Sequence, residues 1–173
     1  MDELEKFYQT HFIEDRPDYE ARLIEDLDWW NLVHDEKYDL LESILNKKQR
    51  SLLDVGCGFG YFLLRGKQRG WDVKGIDPSK KAVNAAKQKG LNVSEGMISE
   101  SLIEENPVDV IHMHEVLEHL PNPIESLTIL KKILKPDGLI CILSPNDYNP
   151  LQNIVQKKSN VNPWWVGPPT HMN

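Results

Sequence analysis

The sequence predicts an α/β fold of the Rossmann-like, doubly wound kind, a mostly parallel sheet of about five strands with helices on both faces. Three observations carry this prediction. From Ser51 onward, short apolar runs alternate with amphipathic stretches of helical period. The first of those runs breaks into alternating glycines that lead straight into a helix, and the second ends in an acid, Asp77.

The elements follow in order. Residues 1–49 read as a helical segment. Pro17-Asp18 opens a stretch with Leu23, Leu27 and Trp30 on one face, and Asp35 is placed to cap a second helix carrying Tyr38, Leu41, Ile44 and Leu45. Trp29 and Trp30 read as core staples, one of them able to cap a ligand. Residues 50–148 form the core. Strands are expected at Ser51–Val55, Asp72–Ile76, Leu91–Ser94, Asp109–Met113 and Leu139–Leu143, and helices at Tyr61–Arg69, Ser79–Lys89 and Ile124–Leu134. Gly90 and Gly138 follow helices, where a left-handed residue is wanted. Residues 149–173 give a short helix, Asn149–Lys158, and then a Pro- and Trp-rich stretch without periodicity.

Composition narrows the function classes. No apolar run is long enough to span a bilayer, and the acidic N-terminus lacks the order of a signal peptide, so a cytoplasmic location is expected. Residues 1–50 hold 7 Lys and Arg against 14 Asp and Glu, while residues 51–173 hold 13 of each. An acidic arm on a neutral body offers no phosphate-tracking surface, so no nucleic-acid partner is expected. Cys57 and Cys141 form no C-x-x-C pair and read as reduced.

The strongest signal is LLDVGCGFG, residues 52–60. Gly56, Gly58 and Gly60 turn the chain sharply after a strand and let a ligand lie against bare backbone. Asp77 stands where a carboxylate accepts both hydroxyls of an adenosine ribose. The spacing is G-x-G-x-G. A nicotinamide site wants a small third residue in G-x-G-x-x-G, and that position is Tyr61; a P-loop would need a Gly-Lys-Ser/Thr after the turn, and none follows. Asp54 precedes the glycines by two residues, where an acid bonds into the loop or reaches an ammonium group. S-adenosylmethionine (SAM) carries one and NAD does not.

LLDVGCGFGYFL, VKGIDPSKKAV, DVIHMHEVLEHLPNP and LKKILKPDGLICILSPN together resemble the class I SAM-dependent methyltransferase family, most closely the branch with the ubiquinone-biosynthesis O-methyltransferases. The resemblance spans roughly residues 50–146. It implies a cofactor site of Asp54, Gly56, Cys57, Gly58 and Gly60 around the methionine end, Asp77 at the ribose, Pro78 beneath the adenine, Met97 and Ile98 packing the ring, and His114 lining the methyl donor. S-adenosylhomocysteine (SAH) is then the product. Where many relatives carry an acid at the adenine amino group, this chain has Met97. The family fold finishes with an antiparallel strand pair, and the chain stops before it. It therefore reads as truncated, with residues 149–173 an incomplete acceptor side and an open sheet edge that invites self-association.

Methyl transfer from a sulfonium needs alignment above all, with a base useful for a hydroxyl acceptor. His171 and His114 are the candidate catalytic histidines, and Trp164 and Trp165 suit an aromatic or apolar acceptor. His112 reads as a sheet residue. Glu115 and His119 are spaced to pair on one helical turn, and H-E-x-x-H fails because position 118 is Glu118. No metal is expected. The expectation is therefore methylation of a small organic acceptor, oxygen favoured. The alternatives are a SAM-binding fragment without turnover, an NAD-dependent oxidoreductase, and methylation of RNA or protein.

Overall fold

The computed structural model describes residues 7, 17–48, 50–104, 106–146 and 149–159. Five parallel strands form one sheet: β1 (Ser51–Val55), β2 (Asp72–Asp77), β3 (Asn92–Glu95), β4 (Val108–His114) and β5 (Leu134–Leu143). Their order is β3-β2-β1-β4-β5, so the winding reverses between β1 and β4. Right-handed crossovers bring every strand's C-terminal end to one rim, and the reversal opens a crevice there.

Side-chain alternation along the strands builds two cores. Leu52 of β1 and Val110 of β4 face one layer, and Leu53, Val55, Ile111 and Met113 face the other. The first layer is covered by α2 (Leu27–Leu45), α3 (Tyr61–Gln68) and α4 (Lys80–Gln88). The second is covered by α5 (Pro123–Lys132) and a 3₁₀ turn at Glu100–Glu104. A short helix α1 (Tyr19–Glu25) precedes α2, and α6 (Pro150–Ser159) follows β5.

The N-terminal helices differ from expectation in where they break. The break falls at Asp26, and Asp35 sits inside the continuous α2 rather than capping a new helix. Its carboxylate is occupied by tertiary partners, taking N–H groups from Arg65 at 2.8 and 2.5 Å and from Arg69 at 3.0 Å. These bonds hold its pKa down at about 2 and pull α2 onto α3. The closest approach is Tyr38 over Gly66, where a Cβ would stand 2.1 Å from the tyrosine oxygen. That hydroxyl donates to the carbonyl of Phe62 at 3.1 Å, and burial pushes its pKa upward.

Two smaller expectations are corrected. The left-handed residue before the regular part of β5 is Asp137 (φ +65°), not Gly138. There Lys135–Gly138 bulges out of register between the Val108–Leu134 and Val110–Leu139 pairs. Trp29 is 58% exposed and staples no core, its ring resting edge-on against Trp30.

The opposite rim, at the N-terminal ends of the strands, is locked by Asp109. Its side chain is 1% exposed and accepts from the Ser51 amide and hydroxyl at 2.8 Å each, from Lys135 at 3.0 Å and from Lys47. Burial raises a carboxyl's pKa, but these donors override it and hold Asp109 below the usual range.

Candidate functional site

The glycine turn sits at the C-terminal rim, where β1 meets the sheet reversal. Gly56, Gly58 and Gly60 all adopt positive φ, at +72°, +50° and +78°. The amides of Gly56 and Cys57 donate to the Ile76 carbonyl at 2.8 and 3.1 Å, which ties the turn to the end of β2. A Cβ at Gly58 would meet nothing within 4 Å, so this face of the turn is open. Cys57 fills the space above Gly75 instead; burial pushes its thiol pKa up, as suits a spacer and not a nucleophile.

Asp77 closes the turn from below. Its two oxygens accept the amides of Gly58 and Ser79 at 2.8 Å each, and Ser79 in turn caps α4 through its hydroxyl. The side chain is buried, and desolvation raises its pKa to about 6 against the pull of both amides and with help from Asp54. The acid that bonds into the glycine loop is thus Asp77. Asp54 instead takes Nδ1 of His112 at 2.7 Å, because the two are direct partners in the β1–β4 register and share a face.

Two lobes of a depression flank the turn. The first, about 180 Å³, is walled by Asp77, Pro78, Met97, Ile98, Val116 and Leu120. The second, about 290 Å³, lies beneath α1 and α2 and is lined by Leu23, Trp30, His34, Asp54, Phe59 and His112. Tyr19, Gly56, Gly58, His114 and Glu115 border both. The structure thus brings together Asp54, Gly56, Cys57, Gly58, Gly60, Asp77, Pro78, Met97, Ile98 and His114. His171, Trp164 and Trp165 lie outside the described residues. Glu115 and His119 do not share a helical turn, since Glu115 is left-handed (φ +54°) and Leu117–His119 is a single 3₁₀ turn.

Tyr19 and His34 escaped the sequence reading. Tyr19 opens α1, and its ring meets Phe59 at 6.2 Å; only the chain path shows that it reaches the rim. His34 falls on the buried face of α2, in line with Trp30 and Tyr38, a periodicity legible without its partner surface. Burial, and then Lys37, lower its pKa to about 4, so it is neutral near pH 7. Burial likewise lowers that of His114. Among the described residues no group of three His, Cys, Asp or Glu side chains converges to hold a metal, and no helix is long and apolar enough to cross a membrane.

Comparison with known proteins agrees with this geometry. A family model described as a methyltransferase domain matches residues 19–173. A ubiquinone biosynthesis O-methyltransferase of Dechloromonas aromatica is 33% identical over 138 residues, covering 70% of this chain and 59% of that protein. The chain thus spans between about half and three-fifths of the length of the curated relatives it matches. The plantazolicin methyltransferase BpumL, solved with a pentazolic desmethylPZN analog and SAH, is 25% identical with TM-score 0.64, over 92% of this chain and 65% of that one. A SAM-dependent methyltransferase from Archaeoglobus fulgidus is 25% identical with TM-score 0.61, over 82% and 61%. By fold, by the architecture of its glycine-turn rim and by this match, the chain belongs to the class I methyltransferase-domain family.

Proposed function

We propose that the chain binds SAM at the sheet reversal and transfers its methyl group to a small organic acceptor, at oxygen. The observation that carries the cofactor assignment is the buried carboxylate of Asp77 beside the open face of Gly58, at the mouth of the first lobe. A side chain at Gly58 would fill that cradle, and a carboxylate already bonded to two amides still has lone pairs for ribose hydroxyls. In this reading Asp77 holds the ribose, and Pro78, Met97 and Ile98 enclose the adenine. Gly56, Cys57, Gly58 and Gly60 cradle the methionine end, Asp54 lies toward its ammonium, and His114 stands at the wall between the lobes. Bound SAM supplies a methyl already activated on a sulfonium, so the chain's own task is to bind and align.

The acceptor belongs to the second lobe, whose Leu23, Leu27, Trp30, Phe59 and Tyr61 suit an apolar or aromatic molecule. Oxygen as the accepting atom is supported by the relatives named as O-methyltransferases. His171, the other catalytic candidate in the sequence, is retained as a proposal. The outer edge of β5 pairs with no strand among the described residues, which supports self-association there; sedimentation over a concentration series tests it.

Calorimetric titration with SAM and SAH tests the cofactor. Saturable binding supports the reading, and the absence of binding by the folded chain overturns it for these residues. A second reading, binding without turnover, is favoured by the chain spanning about three-fifths of its relative's length. Turnover by a longer chain but not by this one would establish that reading.

A further inference from the structure

We infer that His112, oriented by Asp54, is the group that takes the proton of the acceptor's hydroxyl. This inference rests on the methyltransferase reading above. In the sequence His112 looks like an interior sheet residue, and its surroundings give it another use. It is 1% exposed, lines the second lobe, and directs Nδ1 at Asp54 Oδ1, 2.7 Å away. A carboxylate can only accept, so Nδ1 carries the hydrogen and Nε2 presents its lone pair. Nε2 is buried and meets no hydrogen-bond partner among the described residues. A buried nitrogen in that state carries a desolvation penalty unless something satisfies it. An acceptor O–H in the lobe does so.

The ring cannot swing away from this task. Phe62 stacks on it at 3.9 Å between centroids, and His114 stands 6.2 Å off. The titratable groups that face this site are Asp54 from β1, His114 from β4 with Glu115 just beyond it, Cys141 from β5 in register with His112, His34, Lys37 and Tyr38 from α2, and Tyr61 from α3. Of these three histidines, only His112 has an anion bonded to its ring among the described residues. His34 and His114 are both pushed toward weak basicity by burial and by Lys37.

In the step, the acceptor oxygen gives its proton to Nε2 and forms its bond to the methyl carbon. The electron pair of the broken methyl–sulfur bond stays on sulfur. Asp54 acts as a positioning residue: it sets the tautomer and offsets the imidazolium charge that develops.

Two measurements on the full chain test this. The first needs no turnover. ¹⁵N-histidine NMR of the SAH-bound chain, with His112 assigned through His112→Gln, is expected to show hydrogen on Nδ1 and none on Nε2. Asp54→Asn, whose side-chain amide can donate to Nδ1 as well as accept from it, is expected to release that tautomer, so that part of the rings carry the hydrogen on Nε2 instead. A hydrogen on Nε2 of the parent, or a tautomer unmoved in Asp54→Asn, overturns the inference. The second is methyl transfer across a panel of hydroxyl acceptors. His112→Gln is expected to lower kcat roughly a hundred- to ten-thousandfold, with KM for the acceptor and SAH affinity nearly unchanged. Asp54→Asn is expected to lower kcat in the same sense and by less than His112→Gln, since the base remains and only its positioning is lost. Retained kcat in a folded, SAH-binding His112→Gln variant overturns the inference while leaving the cofactor reading intact. Failure of the parent to bind SAH overturns the cofactor reading itself. SAH binding with no hydroxyl acceptor turned over counts against oxygen and against His112 together.

Discussion

The two rims of the sheet treat buried carboxylates in opposite ways. At the N-terminal rim Asp109 meets four donor groups, its pKa falls below the usual range, and it ties Ser51, Lys47 and Lys135 into one cluster. At the C-terminal rim Asp77 meets only two backbone amides and its pKa rises to about 6. Among the described residues, His34 Nδ1, Lys37 Nζ and His112 Nε2 are buried with no hydrogen-bond partner. One rim is satisfied by the chain itself. The other is left with polar atoms that a ligand can satisfy, as expected where stability is given up for binding.

Four outcomes break or sharpen that contrast, from the largest effect down. Asp109→Ala is expected to cost about 2–3 kcal/mol, since Ser51 loses its acceptor while the half-exposed lysines turn to water. Urea unfolding measures it, and SAH affinity is expected to stay as it was. Asp77→Ala is expected to weaken SAH binding about ten- to a hundredfold in calorimetry and to cost less stability than Asp109→Ala, because the acceptor lost by the Gly58 and Ser79 amides is offset by removal of a desolvated carboxylate. If both variants lose stability equally, the contrast between the rims is wrong.

Acidity sharpens the same point. The folded-state pKa of Asp77 is raised from 3.8 to about 6, so the native state holds this proton more tightly than the unfolded chain does. The Asp77 contribution to stability is therefore greatest below pH 3.8, declines as pH rises through about 6, and is flat above. SAH affinity is expected to run the other way, falling as pH drops through about 6 and the carboxylate is lost. Asp109, with its lowered pKa, contributes stability at neutral pH that is lost only in strong acid. Parallel unfolding and SAH titrations between pH 4 and 8 read both trends. The smallest effect is a control between the rims: Asp39 is 68% exposed in its bond to Arg69, and Asp39→Asn is expected to shift unfolding by less than about 0.5 kcal/mol.

Much of this architecture is local and so is written in the chain. The apolar runs of β1, β2 and β4, the glycines at 56, 58 and 60, and the acid ending β2 predict a parallel sheet with a ligand turn at its rim. Errors arise where a residue's partner is distant. Asp35 has the chemistry of a cap, but Arg65 and Arg69, thirty residues and more away, occupy it and the helix runs through. Trp30 reaches the cavity and Trp29 does not, because α2 lies on the sheet along one side only.

The sequence by itself determined the fold class and the place of the turn, and its family resemblance added Asp77, Pro78, Met97 and Ile98 of the first lobe but not Tyr19, Val116 or Leu120. Fold class and turn depend on period-two or helical patterning and on glycine's access to positive φ, which are properties of neighbours along the chain. Only the tertiary structure decided that Asp77 holds the glycine loop, that Asp54 faces His112, and that His34 and Lys37 close over them from α2. Those assignments depend on strand register and helix placement, between Gly58 and Asp77 nineteen residues apart and between Asp54 and His112 fifty-eight apart, which no local pattern encodes.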